Sequence, residues 1–201
     1  MTSPAGRTRS ANNWNLPNAI TVVRIVMAPV FFWLLLADAG QDGPMRWWAA
    51  VIFIVAISTD WVDGWLARSR GLVTDLGKIL DPIADKLLTS GALVCLSILG
   101  ELPWWITIVI VVREVGITVW RFVELGRGTV VPASSGGKLK TLTQAIAISL
   151  FLAPLWTLVG DWIIWVNWAF MIAALVLTVW SGLLYVRDAF RLAREHRGEA
   201  A

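Results

Sequence analysis

Four aspartates in the segment DWVDGWLARSRGLVTDLGKILDPIADK, from Asp60 through Asp85, are the residues whose type and spacing best suit chemistry. Asp60 and Asp63 stand three apart and Asp81 and Asp85 four apart, so on helices each pair shares one face across neighbouring turns. A short connection folds two such helices into an antiparallel hairpin and brings the four carboxylates toward one point. Carboxylates crowded in this way repel one another unless cations lie among them, and hard divalent ions such as Mg²⁺ or Mn²⁺ take oxygen ligands. Two such ions roughly 3.5–4 Å apart clamp a displacement at phosphorus. Arg68, five residues beyond Asp63, falls near the same face and offers a bidentate phosphate contact. Gly64 and Gly77 leave room for a bulky ligand beside the backbone. Each residue also has a blander reading. Asp81 before Pro82 has the form of a helix N-cap, Asp75 reads as a solvated loop acid, and Arg68 and Arg70 as membrane-surface anchors. Asp60 alone would suit a proton relay.

The elements that must position these acids are membrane helices. The chain has 201 residues, 57% hydrophobic and 15% charged, with a mean hydropathy of +0.69. Soluble domains carry about 25% charged residues, so a soluble enzyme is excluded. Cys95 is the only cysteine and lies in an apolar run, which excludes a disulfide scaffold. Six apolar stretches are long enough to span a bilayer, near Ala19–Ala37, Trp47–Ser69, Leu80–Leu99, Pro103–Val123, Thr143–Val159 and Ile163–Tyr185. The expected fold is therefore an all-α integral membrane protein with six transmembrane helices. Nearly every Lys and Arg borders one side, whereas the opposite loops hold Asp38, Asp42, Glu101 and Asp161 with Arg46 alone among the bases. The positive-inside rule places both termini, and the loops after the second and fourth spans, in the cytoplasm. Trp47, Trp48, Trp104, Trp105, Trp162 and Trp165 then form an anchoring belt at the outer interface. Residues 1–13 are expected to be a disordered tail, 14–188 a single catalytic membrane domain, and 189–201 a basic cytoplasmic tail.

Taken together, Asp60, Asp63, Gly64, Ala67, Arg68, Gly77, Asp81 and Asp85 spell D-x2-D-G-x2-A-R-x8-G-x3-D-x3-D. This resembles the signature of the CDP-alcohol phosphatidyltransferase family, with every fixed position filled. The resemblance implies a six-helix membrane fold working as a homodimer, with its site open to the cytoplasm and the adjoining leaflet. It implies that Asp60, Asp63, Asp81 and Asp85 bind two divalent ions, Mg²⁺ or Mn²⁺, and that Asp85 is also the general base. Gly64, Ala67, Arg68 and Gly77 would then accommodate the nucleotide and diphosphate of CDP-diacylglycerol.

The signature does not fix the acceptor. Arg113, Glu114, Arg121 and the stretch PASSGGKLKT, with Lys138 and Lys140, form a basic, small-residue-rich region suited to a phosphate monoester. Against that stand an Arg113–Glu114 structural ion pair, a flexible loop at 134–137, and lysines that only orient the chain. NLPNAITVVRIVMAPV (Asn15–Val30), REVGIT (Arg113–Thr118) and ASSGGKLKTLTQAIAI (Ala133–Ile148) resemble the phosphatidylglycerophosphate synthase branch of the family. That similarity implies glycerol 3-phosphate as acceptor, held by Arg113, Lys138 and Lys140. The expected partners are these two substrates, membrane lipids and a second copy of the chain, with no nucleic acid. A sister enzyme using inositol phosphate is the nearest alternative. A small cation transporter is the rival from another class, but its spans would need polar outer halves, which this chain lacks.

Overall fold

The computed structural model describes residues 16–69, 74–126 and 135–198, without the side chains of 16–17, 61–68, 75–76, 78, 125, 135–138 and 188–198. Those residues form seven helices and no strands: α1 (Leu16–Asp38), α2 (Pro44–Ser69), α3 (Asp75–Ile98), α4 (Trp104–Gly126), α5 (Ser135–Leu152), α6 (Trp156–Val159) and α7 (Trp162–Gly198). The all-helical architecture agrees with the sequence reading. Two helices are both long and apolar enough to cross a membrane unaided, over Asn18–Asp38 and Trp162–Arg187. The remaining long helices carry the acids and bases of the candidate site, which lowers their apolar content. The fifth expected stretch, Thr143–Val159, is not one helix. Pro154 has no N–H to continue the ladder, so α5 stops at Leu152 and the chain resumes as the single turn α6. α7 runs without interruption through Gly198, so the basic tail continues as helix beyond the apolar span that ends near Tyr185.

α1 packs along both α2 and α3, α5 lies on α7, and α4 bridges α3 and α7. Their shared core holds Phe31, Leu35, Phe53, Leu93, Ile148 and Met171, all fully buried. Ala28, Ala49, Ala50, Ala92, Ala147 and Ala174 line the same seams, and their small side chains let the helix backbones approach. Gly91 shows how close that approach is: a Cβ there would stand 2.2 Å from the Phe32 ring of α1. The exterior is apolar, with Trp33, Val112, Trp165 and Leu183 more than half exposed.

At one end of the bundle the turns are knotted by Arg46, which is fully buried. Its guanidinium makes a two-pronged contact with Glu101 and donates to the carbonyls of Phe151 (2.8 Å) and Leu152 (3.1 Å). Asp42 lies 3.4 Å away, and the Trp156 ring stacks with its centroid 5.3 Å from the guanidinium carbon. The acids of the candidate site lie toward the other end: Asp60 is fourteen residues, or about 21 Å, further along α2.

Candidate active site

α3 starts earlier than the Asp81–Pro82 pair would suggest. Thr74 is its N-cap, and its hydroxyl accepts from the Gly77 N–H at 3.1 Å. The N-cap reading of Asp81 therefore fails, because Thr74 already caps the helix and Pro82 lies two turns inside it. Asp75 likewise belongs to the first turn of α3 rather than to a loop. Asp81 and Asp85 consequently share one face of a continuous helix.

That face is held against α2 by three α1 residues at a three-residue interval. Asn18 donates to the Thr74 hydroxyl at 2.8 Å, the Thr21 hydroxyl donates to Asp81 at 2.7 Å, and Arg24 Nη1 lies 2.5 Å from Asp60 Oδ1. Arg24 Nε also donates to the Ala56 carbonyl at 3.0 Å, so it grips α2 by backbone and side chain together. Asn18, Thr21 and Arg24 are all buried. Their part in the site is not specified by the aspartate signature, although three polar residues at even spacing in an apolar stretch are a signal in themselves. Gly77 faces this staple: a Cβ on it would meet Asn18 Oδ1 at 2.7 Å and the Thr74 hydroxyl at 3.2 Å. Its missing side chain thus serves the contact between α1 and α3.

Asp60 lies close enough to Asp81 and Asp85 for their charges to act on it. Each of the three carboxylates nevertheless has its own partner in the chain. Arg24 holds Asp60, Thr21 holds Asp81, and Lys86 holds Asp85 at 2.6 Å. Among the described residues no three acids close around a single point. Asp63, Gly64, Ala67 and Arg68 lie on α2, but their side chains fall outside the described residues, as does that of Lys138. The donor set is entirely oxygen, and two of its carboxylates already bind cationic groups of the chain itself. That chemistry fits a hard divalent ion.

A basic cluster adjoins the acids. Lys86 spans the two, with Nζ 2.6 Å from Asp85 and 2.5 Å from Glu114. Glu114 also receives Lys140 of α5 and, at 2.8 Å, its neighbour Arg113. Arg113 donates to the Ser181 hydroxyl of α7 at 2.8 Å, and its guanidinium lies 5.8 Å from the centre of the Tyr185 ring. Tyr185 is braced edge-on by Trp120, and a Cβ on Gly182 would press on Arg113 Cγ at 3.3 Å. Two of the three residues expected to bind the acceptor phosphate, Arg113 and Lys140, therefore converge on Glu114. The contribution of α7 was not legible beforehand, because Ser181, Gly182 and Tyr185 are scattered through an apolar run.

Residues 14–180 match the family model described as CDP-alcohol phosphatidyltransferase. A protein of Mycobacterium tuberculosis strain H37Rv named probable phosphatidylglycerophosphate synthase is 48% identical over 187 residues, 93% of this chain and 86% of that one. A Bacillus subtilis protein named CDP-diacylglycerol–glycerol-3-phosphate 3-phosphatidyltransferase is 46% identical over 148 residues, 69% of this chain and 77% of its own. The Escherichia coli K12 protein of the same name is 36% identical over 181 residues, 88% and 95% of the two chains.

Proposed function

This chain belongs to the CDP-alcohol phosphatidyltransferase family, and on that premise we propose that it transfers the phosphatidyl group of CDP-diacylglycerol to glycerol 3-phosphate. The products are phosphatidylglycerophosphate and CMP, a step of phospholipid synthesis leading to phosphatidylglycerol and cardiolipin. One observation carries the reading: Lys86 touches both Asp85 of the acid cluster and Glu114 of the basic cluster. Through it, the groups suited to a diphosphate and those suited to a phosphate monoester are immediate neighbours. The names of the relatives support glycerol 3-phosphate as the monoester.

We place α1 to α5 and α7 across the cell membrane, with the site and both termini cytoplasmic. The exposed apolar side chains on α2 and α4, such as Val51, Val55, Val112 and Val119, support spans there as well. A depth near the inner headgroups leaves the acyl chains of the donor in the bilayer while the polar acceptor arrives from water. Residues 14–188 form the catalytic domain between the two tails, and the working unit is a homodimer.

In the reaction the acceptor hydroxyl oxygen forms a bond to the β-phosphorus of CDP-diacylglycerol. The bond from that phosphorus to the oxygen bridging to the α-phosphate breaks, and CMP leaves with the bonding electrons. Asp85 accepts the hydroxyl proton, and Lys86 beside it fixes the orientation of the carboxylate. Arg113, Lys138 and Lys140 bind the acceptor phosphate and so bring its hydroxyl to the phosphorus, where positioning contributes most of the catalysis. Arg68 contacts the diphosphate, and Gly64 and Ala67 leave space for the nucleotide, whereas the space beside Gly77 is taken by Asn18 and Thr74. Asp60, Asp63, Asp81 and Asp85 would hold Mg²⁺ or Mn²⁺, which supplies stabilisation of the charge gathering on the diphosphate. The test is CMP release by purified protein given CDP-diacylglycerol, Mn²⁺ and a panel of acceptors. Release is expected with glycerol 3-phosphate; release only with inositol phosphate or serine would reassign the acceptor.

A further inference from the structure

Glu114 is 3% exposed and receives three cations from three helices: Lys86 of α3 at 2.5 Å, Arg113 of α4 at 2.8 Å, and Lys140 of α5. An ordinary structural ion pair needs one. Lys140 is as deeply buried as Glu114, and it lies close enough to Lys86 and Arg113 for both charges to act on it. Three cations gathered at one point, with Lys140 buried and Lys86 and Arg113 only partly exposed, would separate without an anion among them. From this geometry the structure assigns Glu114 as the positioning residue of the acceptor pocket, the internal counter-ion that holds Lys86, Arg113 and Lys140 together before substrate arrives.

The charge count makes this a statement about substrate class. Lys86 divides its charge between Glu114 and Asp85, so three cations against two carboxylates leave the cluster net positive, which suits an anionic acceptor such as a phosphate monoester. A glutamine in place of Glu114 keeps the shape and removes the charge, so the cations spread apart and lose their shared focus. The inference rests on the proposed acceptor, since it concerns the pocket that would bind it. It also separates Glu114 from the acid cluster: Glu114 organises acceptor binding, and the diphosphate side of the site remains intact without it.

The experiment measures KM for glycerol 3-phosphate and for CDP-diacylglycerol separately, in wild type, Glu114→Gln and Glu114→Asp, by CMP release in detergent micelles. Glu114→Gln is expected to raise the acceptor KM roughly tenfold to hundredfold, the range of a charged hydrogen bond, with the lipid KM within about twofold. Glu114→Asp keeps the charge on a shorter stem, and its acceptor KM is expected to fall between the two. A Glu114→Gln enzyme with an unchanged acceptor KM, or with both KM values raised alike, overturns the assignment. Should Glu114→Gln not fold, Glu114→Asp decides alone: a selective rise in acceptor KM supports the role, and an unchanged one overturns it. If wild type itself fails to use glycerol 3-phosphate, it is the proposed acceptor that falls.

Discussion

Arg24 of α1 lies 2.5 Å from Asp60 of α2, so the first acid of the signature carries a cation from a helix outside the signature. The guanidinium and a divalent ion offer the same carboxylate the same service, charge compensation in a partly desolvated place. Arg24→Gln removes the internal compensation and leaves the ion to supply all of it. The thermal stabilisation produced by saturating Mn²⁺ is therefore expected to be larger in Arg24→Gln than in wild type, read as a shift in Tm in detergent. Equal shifts in the two proteins would show that Arg24 and the ion do not share Asp60.

Asp81 and Asp85 should be intolerant of neutralisation. Asp81→Asn and Asp85→Asn are each expected to lower kcat by at least about a hundredfold, the typical contribution of a positioned acid–base group or charge-stabilising ligand. EDTA should abolish CMP release by wild type, with recovery on adding Mg²⁺ or Mn²⁺. Wild-type rates in Asp85→Asn would remove it from the chemistry.

Gly77 gives a stability test that needs no substrate. A Cβ at this position meets Asn18 Oδ1 at 2.7 Å, too close to keep the contact between Asn18 and Thr74 in place. Gly77→Ala is expected to cost about 1–3 kcal/mol, seen as a lower Tm. Adding Asn18→Ala should recover part of that loss, because the obstructing oxygen is gone. Strict additivity of the two losses would place the cause of the glycine elsewhere.

Ser181 orients Arg113 from α7, through a hydrogen bond to a charged group. Ser181→Ala is expected to weaken acceptor binding by roughly tenfold to a hundredfold, from the range of about 1.5–3 kcal/mol for such bonds. The loss should appear in the KM for glycerol 3-phosphate and leave the KM for CDP-diacylglycerol in place. An equal change in both would mean that Ser181 supports the bundle rather than Arg113.

What the sequence disclosed and what it withheld follow from the range of the interactions involved. Helices α1 to α4 lie close to their expected stretches because each is set by a local apolar run. The aspartate signature is also local, two spacings on two consecutive helices. The break at Pro154 was open to reading, since a residue without an N–H cannot extend a helix, but continuous apolarity across Thr143–Val159 masked it. Asp81–Pro82 is the opposite case, a locally favourable cap pattern that the signature already argued against and that Thr74, seven residues earlier, makes unnecessary. The contacts of Thr21 with Asp81, Arg24 with Asp60, and Arg113 with Ser181 join residues far apart in the chain. The even spacing of Asn18, Thr21 and Arg24 marks a polar face on α1, but no spacing names the distant partners of that face or of α7.

The knot around Arg46 bears on how a lipid gets in. One guanidinium ties the turn after α1 to the turns after α3 and α5, and prising those ends apart would strand a dehydrated cation. That end is clasped like the handle of a fork, and a lipid reaching the acids through it would first have to unpair the guanidinium.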